Sequence, residues 1–320
     1  MDAPHAVGIT GLGTFLGQRL AERLSARGIR VVGLDVRRPY RIAEKIQFQR
    51  IDLTEPTADA ALAELLARER VDTVVHAAFR AEPTADVEAD HELETIGSLH
   101  VLNGCAAAKV RRLVFASSTM LYGPWPDNPN FLSEDHPLRG HPDAHQVQDR
   151  VEAESLLARF GRLHPDVELT VLRTCWIMGP SYLDHVVNYF ERPVVATLLG
   201  YDPLLQFVHE EDAVRAFERA TLEPHPGVYN VVGKGVWPLS TLLRLAGKRS
   251  LALPAPLLYR MGEYPSKAQT GDAPSGFYDY LRYLWVADGE RGWAALGEPE
   301  YSTKEAWIAF VGSRRMRRYR

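Results

Sequence analysis

Apolar and polar positions follow two alternating rhythms over the first 175 residues. Short apolar runs bounded by glycine or charge read as strands: Val7 to Thr10, Ile29 to Leu34, Ile46 to Ile51, Asp72 to His76, Arg112 to Ala116 and Leu169 to Leu172. Between them, apolar residues recur every three or four positions, the spacing of one helical face. Leu16, Leu20 and Leu24 mark such a stripe over residues 15–27. Further helices are predicted over 57–69, 90–108 and 145–163. Strands that alternate with helices predict a parallel sheet covered on both faces, a Rossmann-type, doubly wound α/β fold. Beyond residue 176 the pattern loosens and Pro and Gly become frequent. The expected division is a nucleotide-binding domain over 1–175 and a smaller α/β lobe over 176–320, with about 205–232 returning to the main sheet.

Composition narrows the class. The chain has 320 residues, 46% hydrophobic and 24% charged, an ordinary globular balance. A net charge of −4 argues against a surface that coats nucleic acid. No apolar run approaches the roughly 20 residues that span a bilayer, and no signal peptide is visible. Cys105 and Cys175 sit among apolar neighbours. They read as buried free thiols in a reducing, cytoplasmic compartment, and no metal-ligand spacing accompanies them. Five arginines in the last seven residues (Arg314, Arg315, Arg317, Arg318 and Arg320) read as a solvated or frayed tail.

The first candidate site is the turn from strand one into the first helix, Gly11-Leu12-Gly13-Thr14-Phe15-Leu16-Gly17. Glycines there permit a tight turn and let backbone N–H groups approach a diphosphate, which a helix N-terminus also attracts. Asp35 ends strand two, where a carboxylate accepts both ribose hydroxyls of NAD and repels a 2′-phosphate. Arg37 and Arg38 follow it and could recruit that phosphate, which leaves NADP open.

Taken together, the motifs resemble the extended short-chain dehydrogenase/reductase family, the NAD-dependent epimerase/dehydratase group. The resemblance is carried by the glycine turn, by Ile51-Asp52-Leu53, by His76-Ala77-Ala78, and by Ser117-Ser118 with Tyr122-Gly123. It continues through Leu172-Arg173, Met178-Gly179-Pro180, Phe207-Val208-His209, Tyr229-Asn230 and Leu296-Gly297-Glu298-Pro299. It implies a Rossmann fold, a nicotinamide cofactor, a nucleotide-sugar type of substrate and a homodimer paired through the helices near 90–108 and 145–163. It also implies that Asp52, Leu53, His76, Ala77, Ala78 and Ser117 line the cofactor. One glycine departs from the pattern: Thr14 stands where the family has Gly, although its hydroxyl can bond a phosphate.

A larger departure concerns catalysis. The family's proton chemistry uses a Ser or Thr, a Tyr and a Lys four residues after that Tyr. Here the hydroxyl position falls on Ser118, but the Tyr position holds Gln146 and the Lys position Arg150. An amide cannot act as general acid or base, whereas Arg150 can still hold a ribose. His141, His145 and Tyr122 are the nearby groups that could move a proton; Asp149 is expected to face solvent. Thr119 and Met120 replace the Asp-Glu pair of the dehydratase branch, which disfavours dehydration. Arg173, Asn188, Gln206 and Arg282 are candidate substrate contacts. Trp176, Tyr182, Tyr278, Tyr280 and Trp285 would suit a sugar or base face. Two readings stay open: a hydride-transferring epimerase or oxidoreductase with an altered proton-transfer group, and a cofactor-binding sensor or scaffold without turnover.

Overall fold

In the computed structural model, residues 4–80, 86–263 and 275–317 are described. The first half runs β1 (Ala6–Thr10), α1 (Phe15–Ala26), β2 (Arg30–Asp35), β3 (Gln47–Arg50), α2 (Ala58–Arg68), β4 (Thr73–His76), α3 (Val87–His91), α4 (Gly97–Ala107), β5 (Arg112–Ser118), α5 (His145–Leu163) and β6 (Glu168–Thr174). The second half runs β7 (Trp176–Met178), α6 (His185–Glu191), β8 (Val194–Leu198), β9 (Leu204–Leu205), β10 (Phe207–His209), α7 (Glu210–Leu222), β11 (Gly227–Val231), β12 (Trp237–Pro238), α8 (Leu239–Ala246), β13 (Arg249–Leu253), α9 (Ala255–Glu263), α10 (Glu290–Leu296) and α11 (Thr303–Arg317).

Seven parallel strands form the main sheet in the order β11-β6-β5-β4-β1-β2-β3. The six strands read from the sequence are all present. The seventh, β11, comes from the second half of the chain and pairs with β6. Strand order reverses between β1 and β4, and doubly wound sheets bind ligands in the crevice at that switch point. One apolar layer joins α2, α4 and α5 to one face of the sheet. The other joins α1, α7 and the smaller sheets of the second half to the opposite face. Three arginines at helical spacing on α1 lock it to α7. Arg19 and Arg23 reach Glu211 at 2.5 and 2.7 Å, and Arg27 reaches Glu218 at 2.6 Å.

Three expectations need correction. The helix expected over 90–108 is broken: α3 passes into a π-turn at Glu92–Ile96 before α4 begins at Gly97. Gly97 lets the helix come close to β3's exit loop, where an added Cβ would sit 3.2 Å from the Leu53 Cβ. The arginine-rich end is not a frayed tail as far as it is described. Arg314 pairs with Glu191 and donates to the carbonyls of Pro180 and Tyr182 at 3.2 and 3.1 Å, while Arg315 donates to the Ala246 carbonyl at 2.9 Å. Arg318 and Arg320 lie outside the described residues. Asp149 does not face solvent; it is buried against His91 Nδ1 at 2.8 Å. Cys105 and Cys175 are free and buried, and burial pushes both thiols up to about 12, which leaves them unreactive. Among the described residues no helix is long and apolar enough to cross a membrane.

Candidate active site

The glycine turn leaves β1 at the switch point and opens α1. Gly11 takes φ +72°, and a Cβ there would lie 2.4 Å from the Ala77 carbonyl oxygen, so only glycine lets the turn close against the end of β4. Thr14 is the N-cap of α1. Its hydroxyl donates to the Gly11 carbonyl at 2.8 Å and accepts from the Gly17 N–H at 3.0 Å. The hydroxyl expected to reach a phosphate is therefore committed within the turn. That cap leaves the first-turn N–H groups of Phe15 and Leu16 without an intrahelical acceptor, although none of the residues between Thr14 and Gln18 lines the crevice.

Asp35 closes the turn from the other side: its Oδ2 accepts from the Gly13 N–H at 2.8 Å and its Oδ1 from the Val36 N–H at 2.7 Å. Asp52 is held by the backbone and hydroxyl of Thr54 at 3.0 and 2.7 Å. Gly11, Gly13, Thr14, Asp35, Arg37, Asp52, Leu53 and Ala78 all line one open cleft of about 970 Å³. His76 does not line it. The ring is fully buried, with Nδ1 2.6 Å from Thr10 Oγ1 and Nε2 3.0 Å from Ser98 Oγ. Ala77 is buried behind the Gly11 turn.

A second cavity, of about 210 Å³, opens at the carboxyl ends of β5 and β6. Arg80 lines both cavities, which makes them neighbours across it. Ser117, Ser118, His145, Gln146 and Arg150 line the smaller one. Ser118 accepts from the Met120 N–H at 3.2 Å and caps the short turn after β5. Ser117 donates to the Glu154 carboxylate. His145 is exposed at the first residue of α5. The two substituted positions are both engaged. Gln146 Nε2 donates to Asp90 Oδ2 at 3.1 Å. Arg150 donates through Nε and Nη2 to Glu94 at 2.8 and 3.2 Å and to the Arg80 carbonyl at 2.8 Å, with its guanidinium 5.0 Å from the Phe79 ring centroid. Burial works against the charge of Arg150, but Glu94 more than offsets it and holds the guanidinium above its ordinary pKa. Asp90, Glu94 and Arg80 were not singled out in the sequence. The two acids arrive there because α3 and the π-turn aim them at α5, and no local pattern announces that.

Several candidate residues prove structural. The Tyr122 hydroxyl donates to Asn230 Oδ1 at 2.7 Å and accepts from Arg173 Nη1 at 3.0 Å, and burial raises its pKa. It is no proton donor to the cavity. Arg173 is buried on Glu154 at 2.7 Å and donates to the Glu134 carbonyl at 2.9 Å. Gln206 spends its amide on the backbone of Ala287, donating at 3.1 Å and accepting at 3.0 Å. Of these three, Tyr122 ties the first half to Asn230 on β11, and none of them lines either cavity. Asn188 is exposed on α6 and lines neither cavity. Arg282 also lines neither; its guanidinium lies 4.9 and 4.8 Å from the Tyr201 and Tyr283 rings. His141 is buried on Asp279 at 2.9 Å. Of the aromatics, Trp176, Tyr182 and Tyr280 reach the smaller cavity, while Tyr278 and Trp285 are core.

The family model of the NAD dependent epimerase/dehydratase family matches residues 7–232. The chain is 30% identical to an uncharacterized protein of Mycobacterium tuberculosis, across 97% of this chain and 84% of that one. It is 28% identical to the UDP-glucose 4-epimerase of Mycolicibacterium smegmatis, across 71% and 77%. Among solved structures, the UDP-glucose 4-epimerase of Thermus thermophilus in complex with NAD matches with a TM-score of 0.73 at 22% identity, covering 97% of this chain and 99% of that one. With a parallel sheet, a glycine turn at its switch point and these matches, the chain belongs to the NAD-dependent epimerase/dehydratase group of the extended short-chain dehydrogenases/reductases.

Proposed function

We propose that the protein binds NAD along the larger cleft and moves hydride to and from a carbinol carbon of a nucleotide sugar held at the smaller cavity. The carrying observation is that the two cavities are neighbours across Arg80, with the glycine turn, Asp35 and Asp52 on one side and Ser118 on the other. The residues present fit the cofactor. The first-turn amides of α1 would take the diphosphate, Asp35 the adenosine ribose, and Asp52 with Leu53 the adenine. Asp35 favours NAD over NADP even with Arg37 beside it. When bound, the nicotinamide supplies the hydride acceptor. Ser118 would polarise the substrate oxygen, and Arg150 would keep a positive charge beside the cofactor. The division into a cofactor half ending near residue 175 and a substrate lobe, and a homodimer through α4 and α5, belong to the same reading.

Ser118→Ala tests it: turnover should fall about 100-fold or more while NAD affinity stays unchanged. Equal turnover would remove Ser118 from the mechanism. One observation favours the second reading, a binding module without turnover. Gln146 and Arg150 are both held by carboxylates of the protein itself, as a site released from catalysis would allow. NAD that binds but stays oxidised across a panel of nucleotide sugars would select that reading.

A further inference from the structure

With Gln146 unable to exchange a proton, the cavity needs another group that can. Among the described residues two tyrosines line it, Tyr182 and Tyr280. Tyr280 is fully buried and its hydroxyl donates to the Met120 carbonyl at 2.8 Å, so it is spent. Tyr182 is placed differently. It sits in the loop between β7 and α6, two residues before Asp184, whose charge acts on its phenol. Asp184 lines the same cavity and is only 7% exposed. One of its oxygens, Oδ1, caps α6 by accepting from the Val187 N–H at 2.8 Å. A carboxylate has room for more than one donor.

The loop is fixed rather than floppy. Glu210, at the start of α7, accepts from the Tyr182 N–H at 2.7 Å and from the Ser181 N–H and hydroxyl at 2.9 and 2.7 Å. Arg314 holds the Tyr182 carbonyl from behind. In front, the Tyr182 ring meets Phe15 edge-on at 5.1 Å, and Phe15 is the first residue of α1, next to Thr14 of the larger cleft. The phenol thus lines the cavity, and burial with the charge of Asp184 holds it protonated, well above the ordinary phenol pKa, against the opposing charge of Arg150.

We propose that Tyr182 and Asp184 form the proton-transfer pair of this protein, supplied from the β7–α6 loop in place of the tyrosine missing from α5. This rests on the hydride-transfer reading above. During oxidation the substrate O–H bond breaks and its proton passes to the Tyr182 oxygen. The proton already on that oxygen passes to the Asp184 carboxylate. The carbinol C–H bond breaks as hydride, which the nicotinamide, the oxidant, takes up. The carbonyl C=O forms from the electron pair left on oxygen, and the return half-reaction reverses each transfer. Burial favours the neutral acid, so Asp184, raised above the ordinary carboxylate range, is the better acceptor for it.

Two variants separate the chemistry from the fold. Tyr182→Phe keeps the ring against Phe15, and Asp184→Asn keeps an N-cap for α6. Three quantities are measured on the full chain: calorimetric NAD affinity, reduction of NAD by nucleotide sugars, and the Tyr182 Cζ signal in ¹³C-tyrosine NMR of the unliganded protein. The Cζ signal is assigned by its loss in Tyr182→Phe. Both variants should keep wild-type NAD affinity and lose about 100-fold or more in reduction rate. In Asp184→Asn the Cζ signal should shift, reporting the lost carboxylate partner. Wild-type reduction rates in both variants, or an unmoved Cζ signal, would overturn the pair and leave the hydride-transfer reading standing. A wild-type protein that binds NAD and never reduces it would overturn both.

Discussion

His76 is a neutral imidazole because both of its nitrogens are used. Ser98 donates its own proton to the Glu94 carbonyl at 2.5 Å, so it can only accept from Nε2, and Thr10 donates to Nδ1. Burial pushes the ring down to about 3. The unfolded chain takes up a proton as pH falls through about 6.5, and the folded one does not. The stability carried by the neutral ring is therefore complete above that value and is lost toward pH 3. The slope is about 1.4 kcal/mol per pH unit. His76→Gln should flatten the fall of the urea midpoint between about pH 6.5 and pH 5; an unchanged slope would place the acid sensitivity elsewhere. Glu154→Gln is expected to be harsher. It strands the buried Arg173 guanidinium, at a cost of about 3–5 kcal/mol. A loss under about 1 kcal/mol by chemical denaturation would mean that water reaches the pair.

At the scale of elements, the turn into α1 shows how one substitution can be absorbed. Thr14 occupies a glycine position of the family yet keeps an extended backbone and caps the helix through two bonds. Thr14→Gly should cost only a few tenths of a kcal/mol and leave NAD affinity equal or better, while Thr14→Ala should cost about 1 kcal/mol. If the alanine variant were as stable as wild type, the cap would not be what holds the turn. The α1 stripe of Leu16, Leu20 and Leu24 was readable because helix and sheet share one simple contact. The break before α4 was not. A π-turn inserts one residue without disturbing the apolar count, and only the sheet behind it fixes where Glu94 points. Tyr182 was readable as an aromatic residue and no more: Asp184 lies two residues away in the same loop, but the burial of both and the charge of Arg150 from α5 come only with the fold.

Across the whole molecule, the sequence landmarks divide into two kinds. The glycine turn, Asp35, Asp52 and Ser118 do line two neighbouring cavities. Tyr122, Arg173 and Asn230, equally prominent as motifs, meet one another instead. Asn230 accepts from Tyr122, donates to the carbonyls of Leu132 and Asp288 at 3.1 and 2.8 Å, and takes a bond from its own N–H to Glu134 at 2.9 Å. Motif spacing cannot distinguish a residue that faces substrate from one that ties two halves together, because both are fixed by the same strands. The α1–α7 arginine ladder is a second such tie. Arg23→Ala removes contacts to Glu211 and Glu218 and should cost about 1 kcal/mol at low ionic strength and less at high. A cost independent of salt would assign it to packing instead.

The central claim is that this cleft holds NAD and that hydride moves within it. Its most direct test mixes the protein and NAD anaerobically with a panel of nucleotide sugars and follows the absorbance of reduced nicotinamide. The account predicts that the band grows with at least one sugar and stays absent without protein. Bound NAD that never gains the band would contradict hydride transfer, and a protein that takes up no NAD would contradict the assignment of the cleft itself.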